Sequence, residues 1–391
     1  MANKNDNKTN SKPNIIKGGF IKVMGNEKWQ PLTIPLFSIL LSLIVASIIF
    51  LILGKNPISA FHNLLQGSGV LSKPNYASYK SALTDFMTLL DAMTPLLFAS
   101  LAVTVAMRAG LFNIGASGQM LLAGFVSTVL IGYSGLPAVL AKPLVIIVGV
   151  VTGAILGGLV GFLKYRFNIN EVVSTIMFNY IVQYVISFFI NSYYVDPVSR
   201  QSRYINPEAR LTYTNVEVGG LKMNISLGIV IGLVVAIVLK FFLDKTRIGF
   251  EINAVGANPK AAKYAGINVG KTIVSAMVLS GALSGLAGVT YFLGYYSSIQ
   301  PRVLPSTGFD AVAVSLLGNN NPVGIIGASF IISVIDQGST YMSSMSGIRH
   351  EIASLITGLI LLFSACGAYI KYRINITKAN LSRNNVKEAS K

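Results

Sequence analysis

The chain has 391 residues, 52% of them hydrophobic and only 12% charged, with a net charge of +17 and 37 glycines. A soluble domain carries about 25% charged residues, so this deficit, together with repeated apolar runs of about 20 residues, excludes a soluble globular protein and implies a polytopic membrane protein. The positive excess lies in tails and loops beside apolar runs, where Lys and Arg set topology and meet anionic lipid, so it does not argue for nucleic acid.

Membrane-spanning backbone must satisfy its own hydrogen bonds, in helices or in a closed barrel. Continuous runs of Leu, Ile, Val and Ala, rather than alternating ones, predict helices. Residues 1–31 are polar and Lys-rich and precede a long apolar run. They read as a cytoplasmic tail, disordered over its first dozen residues, rather than as a cleaved signal peptide. The apolar, membrane-embedded body then runs over 32–370, and 371–391 form a basic C-terminal tail.

The predicted spans in chain order are about 32–53, 88–108, 115–132, 143–163, 171–191, 224–243, 273–295, 323–343 and 350–370. A tenth, 308–317, is apolar but only about half a bilayer long, and it ends in Gly318-Asn319-Asn320-Asn321-Pro322. It reads as a broken or re-entrant helix. The expected fold is therefore all-α, with about ten transmembrane helices including one short one. Gly153, Gly157 and Gly161 form a small-residue stripe, and Gly281, Gly285 and Gly288 form another; each lets a second helix approach closely. Polar stretches at 55–85 and 192–222 are expected outside. With ten crossings both tails lie inside, and most Lys and Arg then fall on the inner side, as topology requires.

The longest polar interruption between spans on that side is 244–272. Within it Pro259-Lys260-Ala261-Ala262-Lys263-Tyr264 reads as a short helix, capped by Asn258 and ended by Gly266. The neighbouring Ala265-Gly266-Ile267-Asn268-Val269-Gly270-Lys271-Thr272 fits a permissive phosphate-binding loop, but that chemistry needs a hydrophobic strand before it and a soluble helix after it. Neither is expected here, and Lys271 is better read as a basic anchor at the interface.

Polar groups within spans mark candidate function. Glu171, Thr175, Asn179 and Gln183 recur every four residues and share one helix face. They either line a hydrophilic path or hydrogen-bond a neighbouring helix; Asn170 and Glu171 can equally be an ordinary helix start. Asn113, Ser117 and Gln119 lie in a glycine-interrupted start of the third span, which offers donors and acceptors to a neutral solute or is simply a packing turn. Asp310 begins the short helix and Asp336 lies in the next span; either is a candidate ion or proton site, or a cap. A single cysteine, Cys366, and two histidines, His62 and His350, leave no disulfide, no thiolate cluster and no expected metal or cofactor. No nucleophilic or paired-carboxylate catalytic set is visible.

Four stretches carry a family resemblance. Gly256-x-Asn258-x-x-Ala261-Ala262-x-x-Ala265-Gly266-Ile267 resembles the cytoplasmic coupling segment of ABC-importer permeases for branched-chain amino acids, ribose-type sugars and nucleosides. Three others are similar to the nucleoside permeases of that group: Gly110-Leu111-Phe112-Asn113-Ile114-Gly115-x-x-Gly118-Gln119, Asn170-Glu171-Val172-Val173-Ser174-Thr175-Ile176-Met177-x-Asn179-Tyr180-Ile181, and Gly308-Phe309-Asp310-x-Val312-Ala313-Val314-x-Leu316-Leu317-Gly318-x-Asn320-x-Pro322. One departure is Ser117, where the family usually carries an acid.

The resemblance implies the transport subunit, without its own ATPase site, of a nucleoside importer in a bacterial plasma membrane. Its implied partners are a second related permease, two ABC ATPase subunits and an extracellular substrate-binding lipoprotein, in membrane lipid. Asn113, Gln119, Thr175, Asn179 and Asp310 are then expected along the solute path, and Gly256, Asn258, Ala261, Ala262 and Gly266 at the ATPase contact. Sugar or branched-chain amino acid transport by the same kind of machine, and an ion-coupled secondary transporter, are the alternatives.

Overall fold

The computed structural model describes residues 30–349, 351–367 and 369–377. The expectations for the N-terminal tail and for most of the C-terminal tail lie outside those residues; helix runs as far as Thr377. The described helices are α1 (Gln30–Ile52), α2 (Pro57–Gly67), α3 (Ala82–Arg108), α4 (Ala116–Ser127), α5 (Ala138–Phe167), α6 (Glu171–Phe189), α7 (Leu227–Lys245), α8 (Arg247–Ala257), α9 (Pro259–Tyr264), α10 (Val269–Thr290), α11 (Thr307–Leu317), α12 (Pro322–Ser346) and α13 (Glu351–Ala365). Three of them end in a π turn: α4 continues to Gly132, α6 to Tyr194 and α10 to Tyr295.

Seven of the described helices are long and apolar enough to cross a membrane, or eight if the pair Ser354–Ala365 and Tyr369–Thr377, bent by 45°, is one span. This corrects the expected count of about ten. The difference lies mainly in Ala116–Gly132 and Thr307–Leu317, which are too short. Eleven residues of helix reach about 16 Å, roughly half of a hydrocarbon core of about 30 Å. Each is extended by non-helical chain, at 109–115 and 296–306.

α3 is the axis of the bundle. It is buried without interruption from Met93 to Ala106, which matches an all-round apolar sequence. α10 packs against it and against α5. The two glycine stripes predicted separately meet in that second contact. Gly153 lies against the backbone of Gly281 and Gly285, Gly157 against Met277 and Gly281, and Gly161 against Val274 and Met277. A side chain at Gly153 or Gly157 would strike backbone, so the helices touch only because these positions are bare.

Two elements stand where polar loops were expected. α2 is started by Asn56, whose side chain accepts from Ile58 N at 2.9 Å, with Pro57 in the first turn. It buries Ala60 and Leu64 and lies against α12, where Gly67 and Gly338 leave room for the crossing. In 192–222 the chain forms a hairpin, continuing to 226, of β1 (Thr212–Val218) and β2 (Leu221–Ser226), with Thr212 opposite Ser226 and a bulge between Tyr213 and Val216. Gly219 and Gly220 both have positive φ, 58° and 80°, as the two-residue turn demands. Thr212 Oγ1 donates to Asp91 Oδ1 at 2.7 Å, and Lys142 Nζ lies 3.4 Å over the Tyr213 ring. These bonds seat the hairpin on one end of α3 and α5. The other end of the bundle carries α8 and α9. These two ends are called the hairpin face and the loop face.

Candidate solute path and coupling face

The interrupted start of α4 is held by side chains from three helices. Asn113 Nδ2 donates to Gln119 Oε1 at 3.1 Å and to Ser280 Oγ on α10 at 2.9 Å, while its Oδ1 accepts from Gly115 N at 3.0 Å. Ser280 Oγ in turn donates to Ala102 O on α3 at 2.7 Å. From α6, Asn179 Oδ1 accepts from Gly118 N at 2.9 Å, and its Nδ2 donates to Ile114 O at 3.1 Å. Thr175 returns its hydroxyl to Glu171 O at 2.8 Å and packs against Gly115, where a Cβ would come within 2.9 Å of it. Asn113, Gln119, Thr175 and Asn179 are all buried and bonded among themselves and their neighbours. In this conformation they brace a bend in the chain and do not open onto empty space.

The rest of the α6 stripe divides. Glu171 pairs with Lys164 at 2.7 Å, closing the α5–α6 turn. Gln183 Nε2 donates to Arg302 O at 2.6 Å, and Arg302 N donates to Ser187 Oγ at 2.7 Å. So the stripe holds two pieces of irregular backbone: the start of α4 and the loop before α11. These two pieces also meet. Ser117 Oγ donates to Pro305 O at 2.9 Å, and Gly308 lies so close to Ser117 that no side chain would fit. The small hydroxyl of Ser117 closes this junction.

Asp310 follows in the first turn of α11, half-buried and within electrostatic reach of Asp336 on α12. Asp336 is exposed on the isolated chain, midway along a long span. A charged group at that depth does not face hydrocarbon, so this side of α12 fronts either water or another subunit. Its neighbour Gln337 donates from Nε2 to Tyr295 Oη at 2.9 Å.

Beside this junction, on the hairpin side, lies a cavity of about 190 Å³ whose lining includes Tyr291, Tyr296, Gln201, Ser298, Gln300 and Pro305. The tyrosines come from the π turn that ends α10 and the residue after it; the Tyr291 and Tyr296 rings are 4.8 Å apart, tilted by 51°. Sequence reasoning missed these residues, because Tyr291-Phe292-Leu293-Gly294-Tyr295-Tyr296 reads as the aromatic end of a span. The available signal was a tyrosine cluster directly ahead of a broken helix.

At the loop face the expected helix is present as α9. Asn258 Oδ1 accepts from Lys260 N at 3.0 Å and Ala261 N at 3.1 Å, and Gly266 leaves the helix at φ 82°. Asn258, Ala261 and Gly266 are exposed, Tyr264 is 94% exposed, and Ala262 is buried beneath them. Gly256 faces the other way and lies against the backbone of Arg108 and Gly110. Arg108 ties this face together: Nε donates to Asn320 O at 2.8 Å, Nη1 donates to Asn253 Oδ1 at 3.2 Å, and Asp244 is 3.9 Å away. One guanidinium thus connects α8 with the turn that ends α11. Ala265–Thr272 follows a six-residue helix and runs into α10, with Lys271 in its first turn, so it has no phosphate-loop setting.

Residues 86–365 match the family described as branched-chain amino acid transport system / permease component. The chain is 33% identical to the nucleoside ABC transporter permease protein NupB of Lactococcus lactis, covering 90% of this chain and 96% of that protein. It is 33% identical to the guanosine ABC transporter permease protein NupP of Bacillus subtilis, over 87% and 95% of the two chains. A glucose ABC transporter permease protein of Haloferax volcanii is 26% identical over 89% and 91%. No solved structure matches. No group of three or more His, Cys, Asp or Glu that could hold a metal ion occurs among the described residues.

Proposed function

The chain belongs to the family of branched-chain amino acid transport system / permease components and is a transmembrane permease subunit of an ABC importer, and on that footing we propose that it carries nucleosides. The observation behind this reading is similarity over nearly the whole length, at 33% identity, to permeases named for nucleosides and for guanosine. A glucose permease aligned over a similar length, at 26%, favours a sugar as the second reading.

In this reading the loop face is cytoplasmic, as are both termini, and the hairpin face is external. ATP is bound and hydrolysed on partner ATPase subunits. Asn258, Ala261, Ala262 and Gly266 present α9 to them, and Gly256 seats the segment on the end of α3. A second, related permease covers the side bearing Asp336, and a substrate-binding lipoprotein delivers solute to the hairpin face. Asp310 fronts the path directly. Asn113, Gln119, Thr175 and Asn179 flank it by shaping the two broken segments. This arrangement fits transport of a neutral, hydrogen-bonding solute, because every polar group inside it is an amide or hydroxyl except the Asp310–Asp336 pair.

The test is uptake of radiolabelled inosine in cells that depend on this chain, with competition by nucleosides, free bases, ribose and leucine. Nucleosides competing and ribose and leucine failing is the expected result. Competition by ribose alone would transfer the assignment to a sugar.

A further inference from the structure

The cavity on the hairpin side has features that a crevice between loops does not need. Its aromatic residues are Tyr291, in a π turn, and Tyr296, the residue that follows it; a π turn is a helix irregularity found frequently at functional sites. Tyr296 is 47% exposed, so its ring is not required to fill a core. The lining also offers amides. Gln201 Oε1 accepts from Ser298 Oγ at 2.5 Å, which orients the side chain. Its amide nitrogen and the whole Gln300 amide have no hydrogen-bond partner among the described residues.

The scaffold beneath is built rather than loose. Ser202 N donates to Ile299 O at 2.9 Å, Ile299 N to Ser202 Oγ at 2.8 Å, and Ile205 N to Ser297 O at 3.0 Å, so the segments carrying Gln201 and Ser298 are paired. Asp196 closes the turn ahead of Gln201. Its carboxylate accepts from Ser199 Oγ at 2.7 Å and Ser199 N at 3.1 Å, and these bonds hold it below the usual carboxylate range. Pro305 also lines the cavity, and its carbonyl receives the Ser117 hydroxyl. The cavity therefore stands directly over the junction of the two broken segments.

We propose that this cavity is a binding site on the permease for a flat nitrogen heterocycle, stacked on Tyr296 and Tyr291 and hydrogen-bonded at its edge by Gln201 and Gln300. The inference rests on the nucleoside reading and deepens it: the base, rather than the sugar, is what the membrane subunit grips. Tyrosine offers a π face to any base, and amides supply both a donor and an acceptor to its edge. Stacking of this kind tolerates different bases, so the site selects a class of solute and not one member.

Inosine uptake is measured in cells making the complete transporter, with the wild-type chain, Tyr296→Ala, Tyr296→Phe and Gln300→Ala at matched membrane levels. The expected result is that Tyr296→Ala lowers the maximal rate about tenfold, the scale of one lost base–aromatic stack. Tyr296→Phe keeps the ring and keeps most of the rate, and Gln300→Ala falls between them. Normal uptake by Tyr296→Ala overturns the site and leaves the nucleoside assignment standing. Equal loss in Tyr296→Ala and Tyr296→Phe overturns stacking, since the ring is then not what matters. A wild-type chain that carries no nucleoside overturns the substrate class and the inference with it.

Discussion

Asn179 shows how one side chain can hold a bend in the chain at two points. Its two bonds fall on backbone at Gly118 and Ile114, on either side of the bend that starts α4. A buried donor left without a partner costs about 1–3 kcal/mol. Asn179→Ala strands Gly118 N and frees the bend, and the expected outcome is a chain that still reaches the membrane, melts earlier and transports more slowly. Thermal unfolding of purified protein beside uptake rate checks this; unchanged melting and unchanged uptake would remove Asn179 from the machinery. The four-residue spacing of Thr175, Asn179 and Gln183 was legible from sequence, and so was their common face. Their targets were not, because all three reach residues distant in sequence or turn back on their own helix, and only packing decides which.

Among the elements, α9 and α11 were read with their ends nearly in place, for a local reason. Asn258, Pro259 and Gly266 start and stop α9, and Gly318 with Asn319 and Asn320, both at positive φ, stops α11. The hairpin was missed although Gly219-Gly220 is a turn signal, because β1 is bulged and its alternation is broken between Tyr213 and Val216. α2 was missed because eleven residues of mixed polarity reveal an apolar face only once α12 is laid against it. The exposed surface of α9 carries a prediction of its own. Ala261 points to solvent, so Ala261→Glu leaves the fold intact while placing a bulky charge on the proposed ATPase contact. Uptake is expected to be lost with the protein present at normal level in membranes; normal uptake would take α9 out of coupling.

For the whole molecule, the proposed division is that this subunit holds the path and partner ATPases hold the energy source. Purified alone, the chain is expected to hydrolyse no ATP, and Lys271→Ala in the assembled transporter should leave nucleotide binding unaltered. A fluorescent ATP analogue titrated against both assemblies reads this, and weaker binding by Lys271→Ala would return nucleotide contact to this chain. In the proposed reading the link between energy source and path is Arg108, which bonds α8 and the turn that ends α11 at once. On that proposal a push on α8 and α9 would reach the half-helix whose other end carries Asp310.

Sequence alone determined what depends on neighbours along the chain: a helical membrane protein, its caps and breaks, its glycine faces and the short helix α9, since hydropathy, capping and bare positions act locally. Tertiary structure decided what depends on distant partners. It set the two glycine stripes against each other, gave the α6 stripe its hydrogen-bond targets, and shortened the expected span 115–132 to a partial helix that meets the start of α11 at Ser117, Pro305 and Gly308. It also brought Gln201 from a distant loop to Tyr291, Tyr296 and Gln300 around a single cavity. Hydrogen bonds and van der Waals contacts act over a few ångströms in space, whatever the separation in sequence, and the fold chooses which residues come within that range.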